Sequence, residues 1–332
     1  MGKPSDNSDA RAVMARRTTW QKLRSNPMAM ASLIILAVMG FAALVLPAVF
    51  PDEATKSSPD TYLPPMSKST TLENWTFLCG TDINGVDLLY RVLTGARVSL
   101  IVGLAGAVVA LFVGTTYGVI AGFLGGRVEA LMMRIVDVLY SIPRVLFIMI
   151  SVAAFDSRLK AGIDGARRWA EDAEMGGFGE FLEATIPYSR ILILIIALGL
   201  IEWLTMARIV RGQVLVLREQ QFVTASRALG QVPSAIIAKH ILPNLAGIIL
   251  TYLTLTIPAV ILDESFLSFL GLGIDDPASS WGSLLRDGAQ VINPIDSQWW
   301  LLAFPAIAMS LALLAFNFLG DGLRDALDTR SV

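Results

Sequence analysis

Four stretches of this chain, 28–50, 98–126, 241–262 and 297–320, contain no charged side chain at all. Each is long enough to cross the hydrocarbon core of a bilayer, which takes about 20 apolar residues as helix. One such run fits a buried helix of a soluble protein; four together do not. Two further runs are interrupted, Ile135–Phe155 by Asp137 and Arg144, and Ile191–Ala207 by Glu202. Because a backbone inside lipid must satisfy its own hydrogen bonds, these runs predict helices. The expected fold is all-α and polytopic, with six transmembrane helices.

Composition agrees, with 54% hydrophobic and 16% charged residues. A net charge of −2 supplies no basic field for nucleic acid. Cys79 is the lone cysteine and His240 the lone histidine, so an internal disulfide and a histidine-rich metal site are both excluded. The one histidine sits beside the Pro243-Asn244 corner of a polar loop, which leaves no place for a Ser-His-Asp or Cys-His nucleophile set. A phosphate loop needs Gly-Lys followed by Ser or Thr, but the one lysine after a glycine, Lys3, precedes Pro4. No catalytic residue is expected; the chain reads as a non-enzyme.

The chain divides into a polar tail over 1–27 with a short amphipathic helix near Trp20, a first span over 28–50, and an outer loop over 51–97. A core over 98–320 follows, with an outer insertion at 156–189 and a polar loop at 213–243, and then a tail over 321–332. The first 27 residues lack an apolar core or cleavage site, so no cleavable signal peptide is expected. Lys3, Arg11, Arg16, Arg17, Lys22 and Arg24 fall on the same side as Arg127, Arg134 and the Arg208–Lys239 region. That side is taken as cytoplasmic, with both termini on it.

The most informative polar stretch is Gln221–Asn244. Phe222, Ala225, Ala228 and Leu229 suit a short helix, Gly230 suits a left-handed stop, and Pro233 suits the first turn of a second helix. Pro243 is expected to end that second helix near His240. A DNA-binding helix-turn-helix shares the Ala and Leu-Gly spacing. Uncharged runs begin only a few residues later, which leaves a duplex no room.

This stretch resembles the cytoplasmic coupling loop of ABC-importer permeases, whose signature is EAA, three residues, Gly, nine residues, then I-x-L-P. Here the matching positions are Thr224, Ala225, Ser226, Gly230, His240, Leu242 and Pro243, with Thr, Ser and His departing from the pattern. Lys239-His240-Ile241-Leu242-Pro243-Asn244 is similar to the R-H-I-L-P-N of the peptide-importing branch. Gly80–Leu100 resembles that branch's G-T-D-x-x-G-R-D segment with Val86 in place of arginine. Glu264–Gly273 and Phe316–Asp328 resemble the oligopeptide or dipeptide importer permease, the C-type subunit of its pair. The resemblance covers the chain except 1–15, 51–75 and 156–189. It implies a fold like that of the methionine importer's permease and a homologous second permease as heterodimer partner. It also implies two cytoplasmic ATPases that bind ATP and Mg, an extracytoplasmic solute-binding protein, a peptide substrate, and a place among the lipids of a bacterial inner membrane. This chain itself would hold no cofactor. The coupling residues carried over are Phe222, Thr224, Ala225, Ser226, Leu229, Gly230, His240 and Pro243. The same machine importing nickel, glutathione or antimicrobial peptides is an alternative. A stand-alone secondary transporter or channel is another, but the repeated, interrupted helices of that class are not evident.

Several charges need an account. Asp263, Glu264 and Glu202 are ionisable groups inside spans, which must be paired or wet; they either line a substrate path or, for the first two, cap a helix end. Arg134 and Asp137 are spaced to pair, and Ser141-Ile142-Pro143 is expected to kink the third span. Glu202 lies too far along its helix from Arg208 for a simple pair. Asp82, Asp87, Arg91 and Arg97 are expected to form an outer ion-pair cluster or a binding site. Gly114, Gly118, Gly122 and Gly126 form a stripe that permits close helix contact, within this chain or against a partner. The 156–189 insertion is expected to form two short amphipathic helices. In the first, Asp164 caps a stripe of Ala166, Trp169, Ala170 and Ala173, Arg167–Glu171 and Arg168–Asp172 pair, and Gly176-Gly177 ends the helix. Phe178, Phe181 and Leu182 then begin a second apolar surface before Pro187.

Overall fold

The computed structural model describes residues 19–71, 75–173, 176–185, 188–274, 278–292 and 297–327. The tail before Thr19 therefore lies outside the described residues, as do Pro187 and the side chains of Phe181 and Leu182. Twelve α-helices and one two-stranded ribbon are described, besides two short 3-10 turns and one π turn. Helices α1 (Thr19–Ser25) and α2 (Pro27–Val45) precede the ribbon β1 (Ser67–Lys68) and β2 (Thr76–Phe77). Then come α3 (Leu88–Leu124), α4 (Gly126–Tyr140), α5 (Arg144–Asp172), α6 (Gly176–Thr185) and α7 (Ser189–Arg218). The last are α8 (Gln221–Ala228), α9 (Pro233–Ile236), α10 (Leu242–Phe269), α11 (Trp281–Val291) and α12 (Trp299–Leu327). Five helices are long and apolar enough to cross a membrane, or six if the bent pair α4–α5 is one span.

The longest span shows how local chemistry sets the ends. Asp87 precedes α3, and its carboxylate accepts from the amides of Leu89 and Tyr90, filling two of the orphan donors of the first turn. Across 37 residues α3 runs about 55 Å. Its far end stops at Gly125, and Arg218 of α7 donates to the freed carbonyls of Gly122 and Phe123.

Between α3 and α7 the backbones meet through glycine. A methyl group added at Gly114 would sit 2.6 Å from Met206 Cβ, one at Gly118 2.5 Å from the Ala207 carbonyl, and one at Gly122 2.8 Å from Val214 Cβ. Gly199 repeats this from the other side, where a Cβ would lie 2.6 Å from Val109 Cβ. The stripe therefore serves packing within this chain. Gly126 is not part of it; it opens α4 with nothing within 4 Å of its Cβ position.

The third span is more than kinked. α4 and α5 meet at 86° across Ser141–Pro143. Asp137 of α4 pairs with Arg208 of α7 at 2.8 Å, not with Arg134, because the neighbouring helix offers a guanidinium that also stacks on Tyr140. The insertion departs from expectation too. Its first half is the unbroken continuation of α5, so Asp164 lies mid-helix rather than at a cap, and Gly176 begins α6 instead of ending its predecessor. Arg167 pairs with Glu171 at 3.5 Å and reaches Glu183 of α6 at 3.8 Å. No pair joins Arg168 to Asp172 among the described residues. Ala170 is buried while Trp169 is exposed.

α1 and α2 flank the C-terminal helix, with Leu23, Ala29 and Ala326 in one small cluster. α11 was not foreseen. A capping box between Ser280 and Ser283 starts it, and its buried Trp281 donates to the Val92 carbonyl of α3. The S-x-x-S spacing ahead of an apolar run was the available signal.

Gly118→Leu should cost about 1–3 kcal/mol or more through overpacking of the α3–α7 seam, whereas Gly162→Ala, with open space around it, should cost little. Thermal unfolding of the purified subunit in one detergent checks the contrast; equal midpoints would contradict the seam.

Candidate functional site

Two places gather the residues singled out above. At one end of the bundle α8 turns at Gly230 into α9. Gly230 has φ +78°, its amide donates to Arg227, and the next amide, of Gln231, donates back to Ser226. This pair of bonds satisfies the last carbonyls of α8 and requires a left-handed residue at the corner. Val223, Ser226, Ile236 and Ile241 turn inward, with Val223, Ile236 and Ile241 packed against Val119, Val210 and Val214. Thr224, Ala225, Leu229 and Gly230 face outward, with Leu229 82% exposed. Phe222 is partly exposed against the His240 ring, 6.1 Å between centroids. Ser226 Oγ and His240 Nε2 are 3.2 Å apart, which ties α8 to the chain beyond the corner.

The second helix does not end at His240. After α9 the chain makes one π-helical turn over Ile237–Ile241 and runs directly into α10. The amide of Leu242 donates to Ile237, five residues back, and Asn244 Nδ2 donates to the His240 carbonyl at 2.7 Å. The wider turn absorbs Pro243, which has no amide to give and sits in the first turn of α10. α9, the π turn and α10 are thus one continuous element, Pro233–Phe269, which begins just past the corner.

The other place lies within the spans. Arg144, first residue of α5 after the break, donates to Glu202 of α7 at 2.5 Å and to Asp263 of α10 at 3.2 Å. Glu202 thereby gains the partner its own helix does not provide. The Arg144 side chain is 47% exposed, against 8% for the Glu202 side chain and 22% for Asp263. It stands on the wall of a cavity of about 260 Å³ lined also by Tyr140, Phe147 and Trp203. Arg144 was visible in the sequence as a charge in the third span, but its role was missed because both partners lie on other helices. The available signal was electrical: two unpaired carboxylates and one unpaired guanidinium share apolar segments that tolerate none of them alone.

Glu264 belongs elsewhere. It is fully buried, turned to a different face from Asp263, and accepts from Ser99, Ser265 and Ser268. Ser268 in turn accepts from the Ile274 amide and Ser99 from the Trp281 amide, so Glu264 knits α3, α10 and α11 together. Its side chain has no exposed surface.

The cluster expected among Asp82, Asp87, Arg91 and Arg97 also divides its labour. Asp82 pairs with Arg91 at 2.5 Å and accepts from the amides of Asn84 and Val86, while Arg91 reaches Ser279. Asp87 forms no ion pair among the described residues. Burial pushes its carboxyl above the usual range, opposed by hydrogen bonds from Trp75 and the start of α3. Arg97 is exposed beside a cleft lined also by Tyr90 and Tyr188.

Truncating Arg144 to Ala strands two carboxylates. The loss should fall near the low end of roughly 3–5 kcal/mol, since the Arg144 side chain is half-exposed. Arg144→Gln with Glu202→Gln and Asp263→Asn should recover most of it. Thermal midpoints of the three proteins decide, and a triple variant as unstable as Arg144→Ala would refute the pairing.

Comparison with known proteins adds to this geometry. Residues 114–332 match the family described as binding-protein-dependent transport system inner membrane component. Residues 16–65 match the N-terminal transmembrane domain of oligopeptide transport permease C. The oligopeptide transport system permease protein OppC of Escherichia coli (strain K12) is 40% identical over 329 residues, 98% of this chain and 96% of the relative. Its namesake in Haemophilus influenzae is 41% identical over 320 residues, covering 95% and 89%. The dipeptide transport system permease protein DppC of Bacillus subtilis (strain 168) is 37% identical over 329 residues, covering 99% and 90%.

Proposed function

The chain belongs to the family of binding-protein-dependent transport system inner membrane components, and on that basis we propose that it is one permease subunit of an ATP-driven peptide importer. The observation that carries the reading is the corner at Gly230. It presents Thr224, Ala225 and Leu229 outward on a helix whose inner face is anchored in the core. A protruding, well-anchored tip is suited to a groove on another protein, and the continuous α9–π–α10 element carries its displacement through the bilayer. The substrate class is peptide, oligopeptide before dipeptide, after the names of the relatives.

In this reading a homologous second permease completes the path, two ATPases on the cytoplasmic side bind ATP and Mg, and a solute-binding protein delivers peptide from outside. The termini and the α8–α9 corner are cytoplasmic, in line with the arginines around them. Closure of the ATPases draws the two corners together and turns the path outward; hydrolysis reverses it. Glu202 and Asp263, with Arg144, border the path, because a half-exposed arginine side chain within the spans needs water or protein beside it. His240, Ser226 and Pro243 hold the corner on α10, while Phe222, Thr224, Ala225, Leu229 and Gly230 form the contact itself. The long outer end of α5 with α6 forms a platform for the binding protein.

Ala225→Arg should leave membrane insertion intact, reduce peptide uptake to background, and remove stimulation of the ATPase by the binding protein. Wild-type uptake in reconstituted vesicles would sink the coupling assignment. Replacing Arg158–Glu183 with a short Gly-Ser linker should lower binding-protein-stimulated ATPase activity severalfold. If both uptake and stimulation persist, α6 and the end of α5 are packing only.

A further inference from the structure

The Arg144 guanidinium offers two edges, and each already holds a carboxylate. The two holds are unequal. Glu202 is close and nearly buried, while Asp263 is longer in reach and more exposed, at 3.2 Å and 22%. One cation between two carboxylates leaves the group net negative, so either acid can be given up without leaving the guanidinium unpaired. The cavity beside it, about 260 Å³, is smaller than a pocket for a drug-sized ligand and suits a chain end rather than a whole peptide.

From this geometry, and resting on the peptide reading above, we infer that Arg144 is the carboxylate-recognising residue of the path. The C-terminal carboxylate of a peptide in transit takes the Nη1 position from Asp263, and Asp263, released, faces the cargo as a counter-charge for cationic groups. The exchange replaces one carboxylate with another, so the count of ion pairs at the guanidinium is unchanged and desolvation is largely paid in advance. Such a site is indifferent to peptide sequence, since every unmodified linear peptide ends in a carboxylate. It is also weak enough to release, because Asp263 remains as an internal competitor for the same edge.

The test uses the complete importer in proteoliposomes and radiolabelled trialanine, as the free acid and as the C-terminal amide. Uptake of each is normalised to occupancy of the binding protein. The quantity read is the acid-to-amide ratio in each variant relative to wild type, so selection by the binding protein cancels. Arg144→Lys should keep most of the wild-type ratio. Arg144→Gln should lower it by about tenfold, the weight of one charge-assisted hydrogen bond. Should Arg144→Gln not assemble, Arg144→Gln with Glu202→Gln and Asp263→Asn removes the guanidinium without stranding a carboxylate, and the same fall is expected. A triple variant with the wild-type ratio, or equal losses for acid and amide, would overturn the inference and leave the peptide reading standing. A wild-type importer that does not distinguish acid from amide would do the same. A wild-type importer that moves neither peptide overturns the peptide reading and the inference with it.

Discussion

Four charged side chains on α7 organise the bundle, and each is answered by a different stretch of chain. Glu202 meets Arg144 at the start of α5, Arg208 meets Asp137 near the end of α4, and Arg211 meets Glu129 at the start of α4. Arg218 closes the carbonyl end of α3. In water, exposed pairs of this kind contribute little. Within or beside a bilayer the alternative is a charge in hydrocarbon, and the penalty for leaving one unmet is what fixes the helices' order. α4 and α5 can therefore meet at a right angle without drifting, since each is held to α7 at a separate point.

Charge pairing sets position, and glycine sets distance. Lipid tails are as apolar as leucine, so helices in a bilayer gain little from burying apolar surface against one another. Close backbone approach supplies the dispersion contacts instead. Gly114, Gly118 and Gly122 on α3, with Gly199 answering from α7, bring the two longest-buried helices together along most of their shared length. The polar interior follows the same economy. Glu264 is tolerated at full burial because three hydroxyls surround it and two of those accept from backbone amides in turn. That network stands in for an ion pair, since no cation meets Glu264 among the described residues.

Much of this was legible in the sequence, and the reason differs between features. Uncharged length announces a span directly, so the all-α, membrane-crossing fold followed from composition along the chain. The Gly230 corner was legible because a left-handed stop is a local requirement, written in one residue and its immediate neighbours. What escaped reading was relational. Asp137 looked paired to Arg134 because they share a helix face, yet Arg208 on another helix won. Glu202, Asp263 and Arg144 come from three helices, and no local pattern joins them. The insertion misled for the opposite reason. Its helix signal was real, but α5 had no break before it, and an existing helix extends more cheaply than a new one nucleates. Pro243 misled in the same manner, since a single wide turn let the helix continue past it.

That wide turn has a further effect on geometry. A π turn takes in one residue more than an α turn, and one residue is about 100° of rotation on a helix. The residues before it, among them Ile236, and those after it, leading to Asp263, are therefore set in angular phase by the turn itself. A sequence with one residue fewer at Ile237–Ile241 would keep the same apolar run and the same corner, yet would point the far end of α10 at a different neighbour. The extra residue thus works as a clocking element: it fixes which side of a continuous rod faces the charged group once the other end is docked.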